Sequence, residues 1–200
     1  MYKLTVFTDS TRKIKYLQYN FMKNKEFLRT WAKTQRLSEK FDKQNDTILK
    51  NIKDLSFFSE SQNVMLFYPL AQELNLLGLL IEPKIYSFPV ICENEIVPYK
   101  YNGEFSVGKF NIPEPKNSPR QLIEALDIVV IPALCVDYQG YRVGYGKGYY
   151  DRFLKKINRE KTKCLVAIWD EFVVDKIDAN EFDEKVDYIV TEKRVIEIIN

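Results

Sequence analysis

The run Ile128-Val129-Val130-Ile131-Pro132-Ala133-Leu134, followed by Gly140, Gly144, Gly146 and Gly148 and then by Tyr149-Tyr150-Asp151-Arg152, decides the fold. Its β-rich apolar stretch, Leu126 to Leu134, shows no alternation with polar residues, so it reads as a strand covered on both faces. The chain then turns at Gly140, passes three alternating glycines and begins a helix near Tyr149 that should run to Ile157. A strand at Cys164–Trp169 follows, and a last strand at Val186–Val190 leads into the tail.

Upstream, residues 23–54 carry helical spacing: Phe27, Leu28, Trp31 and Ala32, then Ile48, Leu49, Ile52 and Leu55. Ser38 with Glu39 marks the start of a second helix in this stretch. Asn63 to Tyr68 reads as a buried strand stopped by Pro69. A short helix at Leu74–Leu80, strands at Tyr86–Cys92 and Glu95–Tyr101, and a loop through Gly108–Pro119 complete the sequence. Strands interleaved with helices predict a single α/β domain: a mostly parallel sheet flanked by helices in three layers, Rossmann-like but without a dinucleotide fingerprint. In such sheets ligands sit beyond the carboxyl ends of the strands, and the glycine loop follows one of those ends.

Composition narrows the chemistry. With 46% hydrophobic and 29% charged residues, the 200-residue chain has the make-up of a globular domain. Its apolar runs are too short to span a bilayer, and no secretory pattern opens the chain, so a cytoplasmic protein is expected. Cys92, Cys135 and Cys164 are widely spaced among β-type residues, which fits reduced core thiols rather than a disulfide frame or zinc site. There is no histidine. Ser–His and Cys–His nucleophilic machinery and histidine metal ligands are thereby excluded, leaving carboxylates, Lys/Arg, Tyr, backbone N–H groups and a bound hard cation. The net charge of +2 divides into +7 over residues 1–56, with 13 Lys/Arg against 6 Asp/Glu, and −5 over the rest. Most of those amino-terminal lysines read as a solvated helical face.

The glycine loop carries the chemistry. Glycine permits positive φ and close backbone approach, so Gly144, Gly146 and Gly148 can aim N–H groups at a phosphate, and the following helix start adds more. Arg142 and Lys147 supply positive charge, and Asp151 offers a hard oxygen to magnesium. An isolated Gly-x-Gly-x-Gly is more often a flexible turn. A strand before it, a helix after it, two cations within and a carboxylate behind favour phosphate binding here. Known glycine signatures do not fit: Tyr149 stands where the dinucleotide pattern needs glycine, and Gly148 where a P-loop needs Ser or Thr.

The stretch Arg142-Val143-Gly144-Tyr145-Gly146-Lys147-Gly148-Tyr149-Tyr150-Asp151 resembles the signature of 5-formyltetrahydrofolate cyclo-ligases. The likeness continues in order from Met22: Lys25-Glu26-Phe27-Leu28-Arg29, then Tyr68 and Glu73, then Ile112-Pro113-Glu114-Pro115, then Asp183-Glu184-Lys185-Val186-Asp187. Phe182 stands where many members have histidine, and a glutamine that many members carry has no counterpart near Asp170-Glu171-Phe172. The resemblance implies ATP- and Mg-dependent cyclisation of 5-formyltetrahydrofolate to 5,10-methenyltetrahydrofolate. It further implies ATP contacts from Lys25, Arg29 and the loop 142–150, folate contacts from Tyr68, Glu73 and residues 145–149, and metal contacts from Asp151 and Asp183. Arg142, Lys147 and Asp151 are the catalytic candidates. Lys25 and Arg29, four apart on one helical face, would otherwise be read as surface charges. Tyr145, Tyr149 and Tyr150 are packing residues or, beside a phosphate loop, faces for a flat pterin. Trp31 and Trp169 are read as core.

The family core begins at Met22, so residues 1–21 are expected to be an extension and 22–200 the working domain. A monomer acting on a small molecule, possibly a polyglutamylated folate, without nucleic acid or membrane, is expected. Alternatives are a non-catalytic folate- or nucleotide-binding relative and another enzyme of phosphorylated metabolites on the same scaffold; an RNA-binding role lacks its aromatic–basic motif.

Overall fold

A computed structural model describes residues 24–37 and 45–199. The helix start at Ser38 and the segment 1–21 lie outside the described residues. Helix α1, Lys25–Gln35, is started by Asn24, whose Oδ1 accepts from the N–H groups of Glu26 at 2.8 Å and Phe27 at 3.3 Å. It buries Leu28 and Ala32, while Phe27 and Trp31 pack partly covered against the core. Helix α2, Asn45–Lys53, buries Ile48 and Ile52 at the same helical spacing, and α3, Ser56–Glu60, leads into the sheet.

The seven-stranded sheet runs β12-β11-β9-β6-β1-β2-β3. Its strands are β1 Asn63–Met65, β2 Ile85–Cys92, β3 Glu95–Lys100, β6 Ile128–Val130, β9 Lys163–Ala167, β11 Tyr188–Val190 and β12 Val195–Glu197. The five inner strands pair in parallel, and β3 and β12 close the edges antiparallel. Val64, Val129, Val130, Leu165, Val166 and Ile189 have no exposed surface, which is why these strands read as unbroken apolar runs. Burying each such side chain contributes roughly 1.5–3 kcal/mol. This is the expected mostly parallel α/β arrangement.

Several local expectations are corrected. The segment expected as a loop through Gly108–Pro119 is partly ordered as a ribbon of β4, Phe105–Val107, and β5, Pro113–Pro115. Stacking of Phe105 on Tyr101 at 4.5 Å and its edge contacts with Tyr68 and Phe88 at 5.0 and 4.9 Å hold that ribbon to the sheet. The short helix at Leu74–Leu80 is a 3-10 turn, Leu77–Ile81. The helix after the glycine loop, α4, is only Tyr149–Leu154. Val186–Val190 is not the last strand, because β12 folds back on β11. A small second sheet, β10 Val173–Val174, β7 Cys135–Asp137 and β8 Arg142–Val143, holds both ends of the turn at Gly140. Cys135 and Cys164 are buried and Cys92 half-buried, all three as free thiols. Trp169 is buried and Trp31 half-buried on the core. No helix among the described residues is long and apolar enough to cross a membrane.

Candidate functional site

Along the five parallel strands the chain order is β2-β1-β6-β9-β11, so the direction of sheet growth reverses between β1 and β6. Such a switch point leaves a crevice beyond the carboxyl ends of the two strands. A cavity of about 730 Å³ opens there, lined by Phe67 and Tyr68 after β1 and by Pro132 after β6. That volume suits a ligand the size of a nucleotide or larger.

One wall is built from charge. The side chains of Lys25 and Arg29 project from α1 into the cavity beside the glycine loop; Arg29 Nε donates to the Gly144 carbonyl at 2.9 Å. Gly146 has φ +90°, a conformation that a side chain would strain, and Arg29 packs against it. Lys25 forms an ion pair with Asp183. Arg142 is buried; its guanidinium donates to the Glu184 carbonyl at 2.6 Å and to Asp151 Oδ1 at 2.9 Å. Asp151 also accepts from the N–H of Glu184 at 3.2 Å, so it joins α4 to the segment carrying Asp183. Lys147 is exposed and in no ion pair among the described residues. A helix as short as α4 adds little field of its own, so the cationic side chains carry most of the positive charge of this wall.

The two carboxylates that could hold a metal, Asp151 and Asp183, both line this cavity. Among the described residues there is no group of three or more His, Cys, Asp or Glu side chains arranged for a metal. Magnesium commonly takes only one or two carboxylates and completes its shell with waters and phosphate oxygens. The donor set therefore fits a hard cation shared with a polyphosphate ligand.

Another part of the lining is apolar, with the carboxyls of Glu73 and Glu114 among it. Phe67, Tyr68, Pro89, Ile91, Ile96, Phe110 and Pro113 contribute carbon surface. Glu73 Oε2 accepts from the N–H of Leu70 at 2.9 Å. Burial pushes the Glu73 carboxyl above its ordinary range, opposed by the Leu70 N–H, by a hydrogen bond from Tyr145 and by the charge of Arg36. Tyr145 is itself pushed up, by burial and then by Glu73. The Tyr150 hydroxyl is buried and has no hydrogen-bond partner among the described residues, which leaves a donor available to a molecule in the cavity.

All the residues named from the sequence, namely Lys25, Arg29, Tyr68, Glu73, Arg142, Val143, Gly144, Tyr145, Gly146, Lys147, Gly148, Tyr149, Tyr150, Asp151 and Asp183, line this one cavity. Sequence reasoning missed Pro89, Ile91 and Ile96 of the β2–β3 hairpin, and also Lys109, Phe110, Lys155 and Asn180. Only the burial pattern could have signalled the hairpin residues, and it reads equally well as sheet core. Phe182 lines the cavity at its exposed rim with the Lys155 ammonium 5.5 Å from its ring centre. Asp170 and Phe172 do not: Asp170 pairs with Lys193 and Arg194, and Phe172 is buried.

Residues 21–192 match the family model described as the 5-formyltetrahydrofolate cyclo-ligase family. The chain is 33% identical over 84 residues to a 5-formyltetrahydrofolate cyclo-ligase of Mycolicibacterium smegmatis, covering 42% of this chain and 43% of that protein. It is 31% identical over 101 residues to the Escherichia coli K12 cyclo-ligase, covering 50% of this chain and 56% of that one. The chain thus spans about half the length of these curated relatives. The solution structure of Aquifex aeolicus 5,10-methenyltetrahydrofolate synthetase superposes with a TM-score of 0.78 at 32% identity, covering 88% of this chain and 93% of that one.

Proposed function

Because the chain belongs to the 5-formyltetrahydrofolate cyclo-ligase family, we propose that it catalyses the ATP- and Mg-dependent closure of 5-formyltetrahydrofolate to 5,10-methenyltetrahydrofolate, with release of ADP and phosphate. The observation that carries the reading is the joining of the signature 142–151 with Lys25, Arg29, Asp183 and Glu73 in the lining of a single cavity. A formyl group on nitrogen is an amide whose oxygen is a poor leaving group. Transfer of the γ-phosphoryl group to that oxygen makes it a good one; the neighbouring nitrogen then attacks the formyl carbon, loses its proton, and phosphate departs with the oxygen.

Such a reaction asks for positioning and charge neutralisation, with no protein nucleophile, which suits a site free of histidine. In this reading Lys25, Arg29 and Lys147 hold phosphate oxygens beside the loop N–H groups. Arg142 orients Asp151, which with Asp183 would hold the divalent cation; when bound, that ion neutralises charge on the transferred group. Glu73 and the tyrosines 68, 145, 149 and 150 face the folate, the flat rings offering stacking surface. A monomer suffices in this reading because one chain supplies every proposed contact.

The test is the growth of methenyl-folate absorbance with the purified protein, 5-formyltetrahydrofolate, ATP and magnesium. Product should require both ATP and a divalent cation; product without ATP, or binding of both substrates with no turnover, overturns the reading. Asp151→Ala should remain folded and lose about 10²-fold or more in rate. A folded Asp151→Ala protein with near-normal turnover at limiting magnesium would remove Asp151 from the metal site.

A further inference from the structure

Arg36 is a buried arginine that no motif marks, 7% exposed at the end of α1. Its guanidinium sits against two aromatic faces, 4.7 Å from the Phe172 ring centre and 5.4 Å from that of Trp169. It donates through Nη2 to the carbonyls of Ala133 at 2.7 Å and Leu134 at 2.9 Å, and through Nη1 to that of Gln72 at 3.4 Å. Those acceptors lie on two different cavity-forming segments: the chain just after Pro132, and the residue directly before Glu73. A buried arginine is costly to desolvate, and here three carbonyl bonds and two ring faces offset that cost. The reason for a charge at this point, rather than a neutral donor, lies in what surrounds it.

Two further facts supply that reason. On a helix with about 100° per residue, positions 25, 29 and 36 fall within about 40° of one another, so Arg36 continues the stripe that carries Lys25 and Arg29. In addition, Arg36 and Glu73 line a common small cavity of about 10 Å³, closed by Phe67, Leu74, Ala133 and Trp169. That is about the room of one water molecule, and Arg36 Nε has no hydrogen-bond partner among the described residues.

We propose that Arg36 is a positioning residue: its guanidinium ties the loop carrying Glu73 to α1 and to the segment after β6, and reaches Glu73 through one water in the cavity between them. This rests on the reading of Glu73 as a folate contact. One helical stripe then serves both substrates, with Lys25 and Arg29 at the phosphates and Arg36 fixing the Glu73 carboxyl. The groups that face Glu73 are Arg36 from α1, Tyr145 from the glycine loop, Tyr150 from α4 and the Leu70 N–H of its own loop. Arg36 is the cation among them, so losing it should raise the Glu73 carboxyl further.

The experiment is a ¹³C NMR titration of protein labelled at the glutamate side-chain carboxyl, with the Glu73 signal assigned by its loss in Glu73→Gln. Arg36→Met should move the Glu73 midpoint up by a resolvable amount. Arg36→Lys keeps the charge but cannot span the three carbonyls; it should move the midpoint less and raise the KM for 5-formyltetrahydrofolate about tenfold, with the KM for ATP within twofold. If Arg36→Met does not fold, Arg36→Lys decides. A folded variant with the wild-type Glu73 titration, or one in which both KM values rise together, overturns the proposal. The titration needs no turnover, so a wild-type protein that closes no ring sinks the functional reading while leaving this coupling to be decided separately.

Discussion

Asp137 is fully buried, and its carboxylate accepts from three main-chain N–H groups: those of Gln139 and Tyr141 on Oδ1 and that of Ile177 on Oδ2, each at 2.9 Å. It thereby fastens the turn at Gly140 to a distant segment. Asp137→Ala would leave three buried donors unpaired and is expected to cost about 3–5 kcal/mol, read as a shift in denaturant midpoint; a loss below about 1 kcal/mol would refute this account. Glu73 gives a residue-scale prediction in pH. Its carboxyl is raised above the ordinary value of 4.5, chiefly by burial, so the folded chain holds that proton more tightly than the unfolded chain. The resulting stability is complete below pH 4.5 and is lost as the pH rises through the raised value. Glu73→Gln carries no such titration. It should therefore be more stable than wild type at neutral pH, with the difference vanishing below pH 4.5. Paired thermal melts across that window check it, and a wild type that is the more stable partner at pH 7 would contradict it.

The glycine loop is the element at which sequence pattern and geometry separate. Three alternating glycines look equivalent, but they are not. Gly146 has φ +90°, whereas Gly144 lies outside the left-handed region and a Cβ there would meet nothing within 4 Å. Gly146→Ala should therefore lower stability by about 1 kcal/mol or more through backbone strain. Gly144→Ala should melt like wild type and, if a phosphate approaches the loop backbone, weaken ATP binding. Calorimetric titration with ATP beside thermal melts of both variants separates the two effects. A Gly144→Ala protein that binds ATP normally would show that ligand does not approach that backbone. The neighbouring ribbon β4–β5 makes a related point. Its sequence reads as a loop because prolines and short strands hide the pairing, and the aromatic packing of Phe105 on Tyr101, Tyr68 and Phe88 is what orders it.

At the scale of the molecule, the cavity exists because the sheet reverses its direction of growth between β1 and β6, and α1, the glycine loop and the 180–184 segment converge over that gap. Every proposed contact lies after Met22. A chain beginning at Met22 is expected to fold, bind ATP and keep most of its activity; thermal midpoint and turnover of the two lengths, measured side by side, check this. An insoluble or stable but inactive shorter chain would place residues 1–21 within the working unit.

The sequence alone determined the class of the fold and narrowed the chemistry. A histidine-free chain narrows the chemistry to cations, carboxylates, tyrosines and loop N–H groups, and short β-branched runs bounded by turn residues read as strands covered on both faces. Lys25, Arg29, Glu73 and Asp183 were legible only through the resemblance of their segments to those of a known family, because spacing and composition by themselves read them as solvated charges. Tertiary structure decided what depends on distant partners: that Asp151 is engaged by Arg142, that Lys25 meets Asp183, that Ile91 and Ile96 line the cavity as well as packing in the core, and that Arg36 is buried. None of these has a local signal. An arginine at the end of an amphipathic helix looks like any solvated charge until the fold brings the carbonyls of Gln72, Ala133 and Leu134 to it, because burial is a property of what packs against a residue and not of the residue itself.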